Sequence, residues 1–271
     1  MVRNAVSAKI NLNRLQEGLR AKRFGKRIFF SNVVDSTNEW AKELVLLGAP
    51  EGTVAIAQTQ TGGRGRLGRV WFSPEGGLWF SVVLKPKLKA AEAVKLVFVA
   101  GLAVAEVLRE LYGLKVETKW PNDVLAGGRK ICGILAEMST VGEKVNFVVL
   151  GIGINANFDA RKVFPEELWE SATSLMNELG RKVKLEELFR VLLERLDSVY
   201  EEFLKEGFSL ILERWKSYAS FLGKQVVVTS GTETLHGLAL DVDNEGALAI
   251  RLEDGTVKRI FVGDVSLRAK V

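Results

Sequence analysis

Residues Thr61–Trp71, TGGRGRLGRVW, put four glycines and three arginines into eleven positions. Glycine loses much backbone entropy on ordering and guanidinium groups seek water or anions, so this segment neither sustains a helix nor covers a core. It can wrap an anion. The planar guanidinium fork matches phosphate and carboxylate geometry, and Trp71 offers a flat face to a ring. Gly63, Gly65 and Gly68 also fit the GxGxxG spacing of dinucleotide-binding loops. That role needs a helix to start at the glycines, because its N-terminus holds the pyrophosphate. Here the chain continues VWFSPEGGLWFSVVLKP, a Pro74/Gly76/Gly77 turn into a second strand-like run, and the acidic residue expected about 20 positions on is missing. The Walker phosphate-loop spacing is absent as well. A flexible anion-binding loop is the better account.

Three further segments carry polar side chains where a strand gives out. Lys119-Trp120-Pro121-Asn122-Asp123 reads equally as a capped turn or as polar groups delivered at a strand end, with Pro121 restricting the backbone. Arg129-Lys130 opens the next strand, where a lysine is often simply solvated. Gly151-Ile152-Gly153-Ile154-Asn155-Ala156-Asn157 closes an apolar run with small residues and two asparagines, as a tight strand exit or the close approach of a ligand would need. The single His236 lies far from every glycine-rich segment, which argues against a His-based triad and against a structural metal held by protein ligands. The single Cys132, in the apolar run ICGIL, reads as a packed thiol. What remains is electrostatic and positional chemistry, with cations holding anionic reactants together.

Bulk properties set wide bounds. A chain of 271 residues, 47% hydrophobic and 26% charged, accommodates one large domain and a small one. No apolar run approaches about 18 residues, and the N-terminus lacks the apolar block of a signal peptide, so neither a membrane span nor secretion is expected. One cysteine forbids an internal disulfide and fits a reducing cytoplasm. The net charge of +5 permits acidic partners without indicating nucleic acid.

The elements that must position these groups follow from periodicity. Ile10–Phe24 places Ile10, Leu12, Leu15 and Leu19 on one helical face. Ile28–Val34 predicts a strand, and Asp35-Ser36-Thr37-Asn38 a helix cap followed by apolar Trp40, Ala41, Leu44, Val45 and Leu47. Strands over Thr53–Ala57 and Leu78–Leu84 flank the glycine loop, and one long helix is expected over Ala90–Tyr112. Val116–Trp120 and Lys130–Met138 read as a strand pair around the turn Ala126–Arg129, Val145–Ile154 as a buried strand, and Leu185–Ser220 as helical. From Lys224 on, short alternating runs separated by SGTET, DNEG and EDG predict a small antiparallel barrel, with a domain boundary near Gly223.

Taken in order, these segments resemble the biotin protein ligases. The resemblance is carried by DSTN (Asp35–Asn38), QTQTGGRGRLGRVWFSPEGGLWFS (Gln58–Ser81), KWPNDVL (Lys119–Leu125), RKICGILAE (Arg129–Glu137) and GIGINAN (Gly151–Asn157), and covers about residues 26 to 271. It implies an α+β fold. A mixed β-sheet flanked by helices, similar to class II aminoacyl-tRNA synthetases, would span 26–222, with an SH3-like C-terminal β-barrel over 223–271. An N-terminal helical extension over 1–25 would precede them, too short for the three-helix DNA-binding module of some relatives. The implied cofactors are ATP, biotin and Mg2+. The implied partner is a biotin carboxyl carrier protein, with no nucleic acid, no membrane, a cytoplasmic setting and a homodimer as one open assembly.

The same resemblance implies roles. Lys130 would be the catalytic cation bridging biotin carboxylate and α-phosphate, with Arg66 and Arg69 on phosphate and Arg64 closing the loop over biotin. Ser36, Thr37, Asn38 and Gln60 would hydrogen-bond the ureido ring, with Gly63 and Gly133 presenting backbone beside it. Trp71 would cover adenine, Asn122 and Asn155 would bind near the nucleotide, and Asp123 would orient the loop or assist a metal. The loop's composition adds the expectation that it orders only around an anion. Two other classes stay open: a lipoate or octanoate ligase or transferase of related fold, and a nucleic-acid binder using GRGR as a basic arm.

Overall fold

A strand buried on both faces has to be apolar throughout rather than alternating, and two runs of this chain meet that requirement. In the computed structural model, which describes residues 10–267, they form the middle of a seven-stranded sheet. Its strands are β1 (Ile28–Val34), β2 (Val54–Gln60), β3 (Leu78–Leu84), β4 (Val116–Lys119), β5 (Asp123–Ala126), β6 (Arg129–Val141) and β7 (Lys144–Ile154). The order is β1-β2-β3-β7-β6-β5-β4, with β1 parallel to β2 and the other neighbours antiparallel. The sheet is mixed, as expected.

Alternation along the central strands separates two faces. Val82 and Leu84 of β3 and Val148 and Leu150 of β7 join the large core, where α4 (Leu96–Tyr112) packs with α7 (Leu185–Glu206) and α8 (Phe208–Lys216). Val83, Val149 and Ala55 point the other way and meet Ala41 and Leu44 of α2 (Thr37–Leu46). On that second face, register aligns Trp79 with Gly153 and Ser81 with Gly151, and Gly133 with Gly153. One end of the α2 face is thus floored by small residues.

A second sheet contains β8 (Gln225–Ser230), β9 (Glu233–Val242), β10 (Leu248–Leu252), β11 (Val257–Ile260) and β12 (Asp264–Leu267), in the order β11-β10-β9-β8-β12. All its pairings are antiparallel. It closes over its own apolar residues, including Val226, Val228, Ala239 and Ile250. No helix among the described residues is long and apolar enough to cross a membrane.

Four expectations are corrected. Ile10–Phe24 is not a helix: only α1 (Leu12–Leu15) is helical, and Gly18 and Gly25 adopt φ of 71° and 78°. The physical reason is competition for the backbone donors. The N–H groups of Asn11, Arg20, Lys22 and Arg23 donate to Glu186, Glu194 and Asp197 of α7, so the segment is a strap held by helix carboxylates. Residues 1–9 of the expected extension lie outside the described residues.

The single helix over Ala90–Tyr112 divides into α3 (Ala90–Ala93) and α4, and the Lys95 ammonium between them pairs with Glu92 and lies over the Phe208 ring. Finally, β4 does not pair with β6. The short strand β5 intervenes, and the expected Ala126–Arg129 turn joins β5 to β6, with Gly127 and Gly128 both left-handed as a tight hairpin requires. The helical stretch from Leu185 also breaks, at Gly207 (φ 84°), and ends at Lys216. Two short helices, α5 (Ala160–Val163) and α6 (Leu175–Leu179), follow β7 in the chain.

The strap yields a test. Asp197→Ala strips two backbone N–H groups of their acceptor and should lower the unfolding free energy by about 1–3 kcal/mol in urea denaturation. An unchanged midpoint would show that the strap adds nothing to stability.

Candidate active site

The DSTN segment begins α2, and its residues turn away from capping. Ser36 holds the N-cap position without a side-chain cap bond, leaving its hydroxyl directed elsewhere. Thr37 donates both its N–H and its hydroxyl to Gln60 Oε1, at 2.8 and 3.1 Å. Gln60 Nε2 donates to Ser73 Oγ at 2.7 Å, and Ser81 Oγ lies 2.8 Å from Thr37 Oγ1 and 2.6 Å from Asn38 Oδ1. Asn38 in turn donates to Glu137 Oε2 at 2.6 Å, and a Cβ on Gly151 would come within 2.2 Å of its Oδ1. The members of this wall that line the cavity are uncharged, and Ser36, Thr37, Asn38 and Ser81 are buried.

The wall is wired to the glycine loop through charge. Lys42 bridges Glu137 at 2.7 Å and Glu39 at 3.0 Å, and Arg64 reaches Glu39 at 3.0 Å and Asp35 at 3.5 Å. The loop itself is a small hairpin, with Trp71 N–H donating to Gly63 O at 2.9 Å and Gly65 N–H to Arg69 O at 2.7 Å. Gly63 lies behind it, where a Cβ would meet Trp71 O at 2.3 Å. At the tip Leu67 takes φ 57°, the sole described non-glycine residue with positive φ, a conformation that costs about 1–3 kcal/mol.

Composition alone leaves this loop nothing to pack against without an external anion. The structure corrects that, because the chain supplies carboxylates. Asp264 of β12 lies 2.5 Å from Arg69 and 3.8 Å from Arg66. Arg66 also donates to Asn122 Oδ1 at 3.2 Å and to the Gly263 carbonyl at 3.1 Å. Burial pushes the Arg66 guanidinium below its ordinary range, while Asp264 and Asp123 oppose the shift.

Lys130 comes from the start of β6, with Nζ 2.7 Å from Asp123 Oδ1. That contact is a close ion pair, and Asp123 Oδ1 accepts no other hydrogen bond among the described residues. The ammonium also lies 5.0 Å from the centre of the Trp71 ring. The indole rests on bare backbone: a Cβ on Gly153 would meet Trp71 Nε1 at 2.5 Å, and one on Gly133 its Cζ3 at 2.9 Å. Trp79 packs edge-on beside it. Asn155 donates to Thr173 O at 2.9 Å. Its Oδ1, like Trp71 Nε1, is buried with no partner among the described residues.

These groups surround one cavity of about 780 Å3, within the size range of ligand sites. Ser36, Thr37, Asn38 and Gln60 line one part of it, and Arg64, Arg66, Arg69, Trp71, Asn122, Asp123, Lys130, Gly133 and Asn155 the rest. Of the residues singled out from the sequence, only Gly63 stands behind the wall. Four contributors went unread. Ser81 had a signal, a hydroxyl inside the otherwise apolar LWFSVVL, and so did Glu137, a carboxylate closing an apolar strand. Lys119 lay inside a motif whose other members drew the assignments. Asp264 had none, being nearly 200 positions from the arginines it holds. Cys132 is fully buried and its thiol is pushed up by that burial, as a packed residue would be. No group of three His, Cys, Asp or Glu among the described residues could hold a metal ion.

Residues 30–155 match the Biotin/lipoate A/B protein ligase family, and residues 221–268 the Biotin protein ligase C terminal domain. The Bifunctional ligase/repressor BirA of Bacillus subtilis is 36% identical over 260 residues, covering 96% of this chain and 79% of the relative. The chain belongs to the biotin protein ligase family. A biotin–(acetyl-CoA-carboxylase) ligase from Paracoccus denitrificans is 36% identical over 221 residues, covering 80% of this chain and 91% of the relative. Among solved structures, a biotin protein ligase from Aquifex aeolicus in complex with biotin and ATP superposes with a TM-score of 0.77 at 34% identity. That match covers 90% of this chain and 99% of the other.

Burial works against the Glu137 carboxylate, but hydrogen bonds from Lys42 and Asn38 outweigh it and hold its pKa below the ordinary 4.5. A depressed folded pKa contributes stability that is present above the unfolded value and lost as pH falls through the folded one. The melting temperature should therefore drop more steeply below pH 4.5 in the wild type than in Glu137→Gln. Parallel acid limbs would remove this carboxylate from the account.

Proposed function

We propose that this chain is an ATP-dependent biotin protein ligase. Biotin carboxylate oxygen would attack the α-phosphorus, the bond to the β-phosphate oxygen would break, and pyrophosphate would leave. The amine of a carrier-protein lysine would then attack the carbonyl of biotinyl-5′-AMP, lose a proton, and release AMP.

The observation that carries this reading is the two-ended cavity. Its neutral end offers hydroxyls and amides suited to an uncharged ureido ring, and its other end concentrates arginine and lysine for phosphate. Gly151 sits under the neutral end and Gly153 under Trp71, two strand positions or about 6.6 Å apart. Lys130 borders the same indole, so one ammonium stands where the two ends meet. The first step must bring a carboxylate against a polyphosphate. A cation about 4 Å from each anion contributes roughly 4 kcal/mol per contact at an effective dielectric near 20, before desolvation. Holding both reactants in line removes a further entropic penalty of order 7 kcal/mol.

Support for the nucleotide comes from the orphaned Trp71 Nε1 and Asn155 Oδ1, buried polar atoms that a ligand would satisfy. Mg2+ would ride on the phosphates, neutralising their charge, and Asp123, the carboxylate that pairs with Lys130 at the cationic end, would be the protein group to assist it. Arg64, tied to Asp35 and Glu39, would keep the loop over biotin and water away from the acyl-adenylate. The proposed protein partner is a biotin carboxyl carrier domain in the cytoplasm, and a homodimer is an assembly the family resemblance allows. A lipoate-type activity has less support, since the relatives reported above are biotin ligases.

Purified protein should catalyse ATP–pyrophosphate exchange only when biotin is present; exchange with lipoate or octanoate instead, or none at all, overturns the assignment. Lys130→Met should lower kcat for exchange by about 100-fold, the scale of losing one preorganised charge contact. Wild-type turnover in that variant would remove Lys130 from the chemistry. Arg66→Ala should make the adenylate leak, read as free biotinyl-AMP after gel filtration, and retention equal to wild type would contradict its phosphate contact.

A further inference from the structure

The cations of the cavity are nearly all accounted for by partners within the chain. Arg64 has Asp35 and Glu39, Arg66 and Arg69 have Asp264, and Lys130 has Asp123. Lys119, at the end of β4, lines the same cavity and has no ion-pair or hydrogen-bond partner among the described residues. Its side chain is half-buried, unlike that of Lys224, the other unpartnered lysine of the lining, which is exposed.

The backbone beneath Lys119 is fixed on both sides. Thr118 is buried, its N–H donating to Tyr218 O and its hydroxyl to Trp215 O, each at 3.0 Å. Trp120 Nε1 donates to Gly246 O at 2.9 Å. The lysine stem therefore starts from an anchored strand end. Burial pushes its pKa below the ordinary lysine range, Lys130 and Arg69 push the same way, and Asp123 and Asp264 oppose them without reaching it. Those four neighbours are residues that line the cationic end of the cavity. A desolvated ammonium without a counterion is unfavourable until an anion arrives.

Building on the ligase reading above, we infer that Lys119 binds the β- and γ-phosphoryl oxygens of ATP, the part that departs as pyrophosphate. On that reading Lys130 takes the α-phosphate, Arg66 is held by Asp264 and Asn122, and Arg69 marks the solvent side of the cavity with a largely exposed side chain. Between them, the tail of the triphosphate passes the only half-buried cation left without a partner among the described lining residues.

The test uses full-length protein and two variants, Lys119→Met, which keeps the length of the stem, and Lys119→Arg, which keeps the charge. Inorganic pyrophosphate is titrated calorimetrically into each, and KM values for pyrophosphate and ATP are measured in biotin-dependent exchange. Lys119→Met should weaken pyrophosphate binding and raise both KM values about 10-fold, as loss of one charged contact predicts, with Lys119→Arg recovering most of it. Biotin affinity and transfer from preformed biotinyl-adenylate to a carrier should stay at wild-type levels, a pattern that a folding defect would not give. Pyrophosphate binding and exchange within about twofold of wild type, or a parallel fall in the transfer step, overturns the inference. Absence of biotin-dependent exchange in the wild type would instead strike the ligase reading, while the calorimetric comparison still decides the role of Lys119.

Discussion

Cations packed closely enough to hold two anions also repel one another, and something must hold them when the anions are gone. In this chain the holding groups are carboxylates from four separate places: Asp35 and Glu39 at α2, Asp123 at β5, Glu137 on β6 and Asp264 on β12. Each is hydrogen-bonded or ion-paired to a basic side chain, and all but Asp35 stand on a regular element. The arginine loop is therefore set against the protein by the same interaction it would offer a ligand.

That arrangement ties the small domain to the large one. Asp264 and the Gly263 carbonyl reach Arg66 and Arg69, while Trp120, next to the KWPND asparagine and aspartate, donates to Gly246. A phosphate entering near Arg66 and Arg69 meets guanidinium groups already engaged by a carboxylate, so binding there is an exchange of one anion for another. Such an exchange lowers the net gain of each contact and leaves geometry to discriminate among ligands.

The floor shows a second constraint. Gly133, Gly151 and Gly153 alternate onto the α2 face of β6 and β7, and each would place a Cβ within 3 Å of Trp71 or Asn38. Their role is space, since a methyl group at any of the three would displace either the indole or the neutral hydrogen-bonding wall. Packing on the opposite face is unaffected, because α4 covers residues of the other parity.

Much of this was legible in the sequence because it is local. A buried strand must be apolar throughout, a glycine–arginine loop cannot be a helix, and SGTET, DNEG and EDG are turns, so the individual strands, the loop and the C-terminal antiparallel sheet could be read along the chain, whereas the mixed sheet was implied only by the family resemblance. Most residues of the candidate site were legible too, since they cluster in short motifs. Tertiary structure decided what depends on distant partners. The strap over residues 10–24 carries helical periodicity, yet its backbone donors go to carboxylates of α7. The loop arginines look unpartnered in sequence, yet Asp264 satisfies them from the far end of the chain. Periodicity reports which side of an element is apolar, and says nothing of which remote charge will come to rest against it.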